Sequence, residues 1–174
     1  MIPKPQPTEY PAYYEKYINA ISDQTNVLDL LKAQQQEVVQ LFARVSESEA
    51  NFAYEPGKWS IKELLGHMND TERIMAYRAL CFARGEQQPL PGFDENDYVV
   101  HANFSERTLN DLVDEHFTIR AASVSLFKSL TPEALARIGN ANGNPMTVAA
   151  LAFIIAGHER HHLNILKERY LAKL

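Results

Sequence analysis

Gly157-His158-Glu159-Arg160-His161-His162 is the stretch on which the reading of the chain turns. It lies inside an apolar pattern that runs from about Met146 to Leu171. Positions i and i+4 share one face of an α-helix, so His158 and His162 aim their imidazoles the same way, one turn apart. Leu151, Ile155, His158, His162 and Ile165 follow at intervals of 4, 3, 4 and 3, the buried seam of a bundle helix. Two imidazoles on such a seam bring polar nitrogens that need partners. A single buried histidine is ordinarily neutral and hydrogen-bonded inside the core. Two at this spacing also suit a metal, since imidazole is the commonest metal-binding side chain. A third ligand from elsewhere would separate the two readings.

Working outward, a candidate third ligand stands on another helix. Trp59-Ser60-Ile61-Lys62-Glu63 opens the second long helix, with Ser60 as cap and Glu63 three residues on, as in a capping box. Ile61, Leu64, Leu65, Met68, Met75 and Phe82 mark its inner side, and Gly85 ends it. His67 falls one turn after Leu64 and one before Thr71, so it too can face inward. Gly66 beside it is costly in a helix interior, a cost that a close approach by another helix or a ligand would offset. The first long helix runs from about Asn26 to Val45, with Leu31, Val38, Leu41, Phe42 and Val45 on its stripe. The third starts at Ser105 or Thr108 and reaches about Leu130. Its line Leu109, Val113, His116, Arg120, Phe127 puts a histidine and an arginine near the inner face. Thr147 is a plausible cap for the fourth. The pattern predicts an all-α fold, an antiparallel-type four-helix bundle with a long connection between the second and third helices. No segment reads as a strand, and Asn140 to Pro145 reads as a tight polar loop. The expectation is one domain over residues 1–174, with 1–25 as an N-terminal arm in which Tyr10, Tyr13, Tyr14 and Tyr17 recur at helical spacing.

Composition narrows the function. A formal net charge of −5 argues against a broad nucleic-acid interface, which needs clustered Lys and Arg. The single cysteine, Cys81, cannot form an internal disulfide and suits a reducing compartment. The N-terminus Met1-Ile2-Pro3-Lys4-Pro5-Gln6-Pro7 lacks the apolar run of a signal peptide, and no stretch reaches the roughly 20 apolar residues of a membrane helix. The expectation is a cytoplasmic protein with neither nucleic-acid nor membrane partners.

The residues also carry a family resemblance. Gly57-Lys58-Trp59-Ser60-Ile61-Lys62-Glu63-Leu64-Leu65-Gly66-His67-Met68-Asn69-Asp70-Thr71-Glu72 resembles the second-helix motif of DinB-like proteins of the YfiT group. Ala83-Arg84-Gly85, Leu90-Pro91-Gly92-Phe93-Asp94 and Asp97-Tyr98-Val99 resemble the loop that follows it there, and His158 to Leu166 resembles the C-terminal histidine helix. The resemblance implies a four-helix bundle, often a homodimer, with one divalent metal held by His67, His158 and His162. It implies a metal-dependent hydrolase, or a transferase acting with a low-molecular-weight thiol, on a small-molecule substrate.

His158-Glu159-Arg160-His161-His162 also satisfies H-E-x-x-H, the zinc-protease pattern with Glu159 as base. The longer form of that pattern breaks at Ile165, where glycine is required, and no sheet precedes the helix. Glu159 then reads as a neighbour on the side of the helix, and His161 as a supporting or surface residue. Three neutral imidazoles leave a divalent ion its full charge and an open position, as in catalytic sites. Imidazole suits zinc and nickel best, with manganese and iron also admitted. The competing reading is a non-catalytic binding or stress-response module that the metal merely stabilises. Further pocket candidates are Phe93, Asp94 and Tyr98 on the long connection, expected over the mouth of the site, and His116 with Arg120. A buried arginine there requires a carboxylate such as Asp70 or Glu72; otherwise Arg120 lies partly exposed along the surface.

Overall fold

The computed structural model describes residues 1–174. In chain order come α1 (Glu15–Asn19), α2 (Val27–Phe42), α3 (Ile61–Ala83), α4 (Glu95–Ala102), α5 (Leu109–Lys128) and α6 (Pro132–Leu135). A hairpin of β1 (Ile138–Ala141) and β2 (Asn144–Thr147) precedes α7 (Val148–Ile165), whose continuation, Leu166–Leu171, widens into a π-helix. The caps form as the side-chain chemistry dictates. Ser60 Oγ accepts from the Glu63 N–H at 3.2 Å, and the Glu63 carboxylate accepts from the Ser60 N–H at 2.6 Å. Thr147 Oγ1 accepts from the Ala150 N–H at 3.1 Å, starting the helix that carries the two seam histidines.

The four long helices α2, α3, α5 and α7 form the expected bundle, but its directions differ from a simple antiparallel arrangement. α3 and α2 each pack against α5 and α7, so α2 and α3 occupy opposite corners. Between α3 and α5, Asn69 reaches Leu112 and Glu72 reaches Arg120, partners that advance together, so these two helices run parallel. Between α2 and α5, Gln35 reaches Phe117 and Leu31 reaches Arg120, the order of an antiparallel pair. A parallel α3–α5 pair requires the chain to travel back along the bundle, which is what the long connection does. That connection contains α4 and lays the Phe104 ring over Gly66, where a Cβ would sit 2.4 Å from the ring. Gly66 therefore answers to a side chain of the crossover.

The expected polar loop is a hairpin. Ile138 pairs with Thr147 and Ala141 with Asn144 around an Asn142-Gly143 tip, the dipeptide that two-residue hairpin turns favour. The short strands lack apolar alternation, which is why the segment reads as loop. Backbone bonds from Leu90 to Asn140 and from Asn142 to Leu90 tie the crossover to this hairpin.

Two apolar clusters fill the bundle. One gathers Leu31, Met75, Phe82, Phe127 and the first half of α7. The other gathers Val38, Leu64, Leu65, Leu112, Leu163 and Leu166. Between them every long helix contributes buried polar groups: Gln34 on α2; His67, Asn69, Thr71 and Glu72 on α3; His116, Arg120 and Ser123 on α5; His158, Glu159 and His162 on α7. A polar layer thus crosses the waist of the molecule. Unpaired polar groups there would be costly, so the layer holds either partners or a ligand.

Candidate metal centre

α3 and α7 bring His67, His158 and His162 together on one side of that layer. His158 Nε2 lies 3.1 Å from His67 Nε2 and 3.0 Å from His162 Nε2. Two nitrogens each about 2.1 Å from one ion, and at right angles around it, would stand about 3.0 Å apart. Burial holds His67 down to about 4 and His162 down to about 2. Burial, reinforced by the neighbouring imidazoles, holds His158 well below the usual range. All three are therefore neutral near pH 7 and can present lone pairs. His162 Nδ1 is buried without a partner. Three imidazole nitrogens turned on one another, with no carboxylate among them, fit a divalent cation better than they satisfy one another.

The surroundings follow from two features. A Cβ at Gly157 would stand 2.1 Å from the Tyr17 carbonyl oxygen, so only glycine lets α1 lie this close against α7. That contact brings the Tyr17 ring within 5.5 Å of His158. On the other side the Trp59 ring sits 4.6 Å from the His67 ring. The Tyr170 hydroxyl donates to the Trp59 carbonyl at 2.7 Å and fixes that backbone. The histidines line a cavity of about 340 Å³, walled by Tyr13, Tyr14 and Tyr17 from the arm, Arg78 from α3, Phe93 from the crossover and Met146 from the hairpin.

The other sequence candidates separate. Phe93 lines the cavity. Tyr98 does not; it is half exposed and packs its ring 5.2 Å from that of Phe93. Asp94 is the cap of α4, accepting from the Asn96 and Asp97 N–H groups at 2.8 and 3.1 Å. His116 and Arg120 lie away from the cavity, in a closed network deeper in the layer. Arg120 is fully buried, so the partly exposed alternative is overturned. It bonds Glu72 at 2.7 Å and Glu159 at 2.5 Å, and Asp70 is not its partner. Glu159, read from sequence as a neighbour on the helix side, turns out to be a core group. His116 Nδ1 pairs with Asn69 Oδ1 at 3.1 Å, while its Nε2 lies 3.2 Å from Glu159 but off hydrogen-bonding alignment. Held in this network, Glu159 cannot serve as the base of an H-E-x-x-H protease.

Sequence reasoning passed over Trp59, Arg78 and the tyrosines of the arm as site residues. The stripe His67, Thr71, Met75, Arg78 at spacings 4, 4 and 3 was readable, and all four line the cavity. The tyrosines could not be placed, because α1 is short and its close approach to α7 depends on Gly157, far along the chain.

Known proteins sharpen this picture. A protein of Oceanobacillus iheyensis named "Putative metal-dependent hydrolase" is 28% identical over 127 residues, 71% of each chain. The structure of YfiT from Bacillus subtilis, described as "a probable metal-dependent hydrolase with an unusual four-helix bundle topology", superposes with a TM-score of 0.70 at 17% identity, covering 95% of this chain and 90% of that one. A mycothiol-dependent maleylpyruvate isomerase superposes with a TM-score of 0.66 at 15% identity, covering 79% of this chain and 58% of that one. At these identities the two structures show a shared fold. The DinB superfamily model matches residues 30–166, which takes in α3, α5, α7, all but the first three residues of α2, and all three histidines, and the chain belongs to that superfamily.

Proposed function

We propose that the chain is a divalent-metal-dependent enzyme acting on a small molecule, with His67, His158 and His162 as the protein ligands of the ion. One observation carries the reading: three neutral imidazoles converge at the wall of a cavity that can admit a small molecule, with no carboxylate among the converging donors. A divalent ion bound there supplies a Lewis acid that favours hydroxide from water, or thiolate from a thiol, at neutral pH. The protein's own contribution is positional. Trp59 and Tyr17 pack on the histidine rings, limit water and hold ring orientation. With no carboxylate among the three donors, an ion held there keeps its full positive charge for the reacting group.

Hydrolysis is the first reading, supported by the names of the sequence relative and of the YfiT structure. Transfer of a low-molecular-weight thiol is the second, supported by the likeness to the mycothiol-dependent enzyme. Zinc or nickel suits three imidazoles best. The family resemblance suggests a homodimer, which sedimentation would test. The deciding experiment is metal analysis of the purified protein, followed by a screen of esters, amides and electrophile–thiol pairs with and without chelator. Chelator-sensitive turnover supports an enzyme. A bound metal with no exchangeable water and no turnover supports a stabilised binding module instead.

A further inference from the structure

Arg78 is a buried cation without a counter-charge. It is 3% exposed and lines the cavity that holds the histidines. One of its guanidinium nitrogens donates to the Pro91 carbonyl at 2.9 Å, and another lies 3.8 Å from Met75 Sδ, a weak acceptor. The guanidinium carbon sits 5.8 Å from the centroid of the Phe93 ring. No carboxylate lies within salt-bridge distance of it, whereas Arg120 in the same bundle holds two. Glu95 lines the cavity as well but does not pair with Arg78. A buried guanidinium carries five donors in a planar fork that matches an oxyanion, and its burial is costly until one is present.

The position of Arg78 defines a ligand. His67, Thr71, Met75 and Arg78 form one stripe of α3 along the cavity wall, so anything filling the cavity spans from the histidines to the guanidinium. Tyr14, Tyr17, Trp59 and Phe93 wall the space between, which suits an apolar or aromatic body. Glu95 adds a negative charge to the same space and disfavours a dianion. We propose that the cavity receives a small organic acid whose single carboxylate is held by Arg78 while its other end lies against His67, His158 and His162. This rests on the site reading given above, and it names the substrate class for that site.

Trp59 is the only tryptophan and lines the cavity, so its fluorescence reports occupancy. Metal-free and nickel-loaded protein would be titrated with N-benzoylglycine, 3-phenylpropionate and their matched primary amides. The acids should bind about 10- to 100-fold more tightly than the amides, the range expected for hydrogen bonds to a charged group. Arg78→Gln should erase that ratio with circular dichroism unchanged, and Arg78→Lys should keep part of it. If Arg78→Gln does not fold, the wild-type acid–amide ratio and the lysine variant decide. Equal binding of acids and amides, no response to either acid at millimolar concentration, or a folded Arg78→Gln that keeps the ratio would overturn the proposal. Metal content is read separately. Protein that takes up neither nickel nor zinc yet prefers acids refutes the metal reading and leaves the anion site; protein that loads either metal without preferring acids does the reverse.

Discussion

Two clusters of three donors share the polar layer, and they differ in what balances them. His67, His158 and His162 form one; Glu72, His116 and Glu159 form the other. In each, the donor atoms lie within 4.8 Å of one another, so spacing alone would nominate both as metal sites. The second already surrounds a cation, the Arg120 guanidinium. Burial by itself works against a charged Arg120, but Glu159 and Glu72 outweigh it and hold the proton more firmly than usual. Two carboxylates against one guanidinium leave a surplus negative charge. Burial pushes Glu159 up to about 7; burial pushes Glu72 upward too, but the charge and hydrogen bonds of Arg120 outweigh it and keep Glu72 below its usual range. The first cluster has no cation of its own and three neutral imidazoles. Charge balance, rather than donor geometry, separates a structural knot from a candidate site.

The largest effect should come from breaking the closed cluster. Arg120→Ala leaves two buried carboxylates unpaired and should cost about 3–5 kcal/mol in urea unfolding. A loss below about 1 kcal/mol would mean that water already reaches the network.

A pH titration of the metal-free protein sharpens the contrast. His67 and His116 are held down to about 4 by burial, against about 6.5 in an unfolded chain. Between those values the unfolded chain binds more protons, so stability should fall as pH drops from about 6.5 to about 4. Glu159, raised to about 7, contributes with the opposite sign: its share is present at low pH and lost as pH rises through 7. Removing it with Glu159→Gln should therefore steepen the acid loss. A profile that stays flat in Glu159→Gln as well, where the opposing share is gone, would show that the histidines are solvated.

Gly157→Ala tests the wall of the open cluster. The added methyl meets the Tyr17 carbonyl and must push α1 away, at about 1–3 kcal/mol, with increased solvent quenching of Trp59 as the cavity opens. Tyr170→Phe should have the smallest effect. It removes one hydrogen bond to the Trp59 carbonyl, worth about 1 kcal/mol by thermal unfolding.

How far the sequence carried differs between the two clusters in the same way. The helices, the Ser60 and Thr147 caps and the His158–His162 pair were legible because periodicity and capping are local signals. His67 was legible as inward-facing from its place on the α3 stripe. The Glu72–Arg120 pairing was among the stated alternatives, but the role of Glu159 was not, since its partner lies on another helix. The parallel run of α3 and α5 was hidden for the same reason: stripes fix which face is buried and leave direction open. Arg78 sits on a readable stripe, yet nothing local says that a buried arginine will find no acid.

The most direct test of the account is metal stoichiometry at neutral pH for wild type, His67→Ala and His116→Ala, each checked for helical circular dichroism. The account predicts about one divalent ion per chain in wild type and in His116→Ala, and a folded His67→Ala protein that has lost most of its metal affinity. A His116→Ala protein that loses the metal while His67→Ala keeps it would move the metal to the carboxylate cluster and contradict the account.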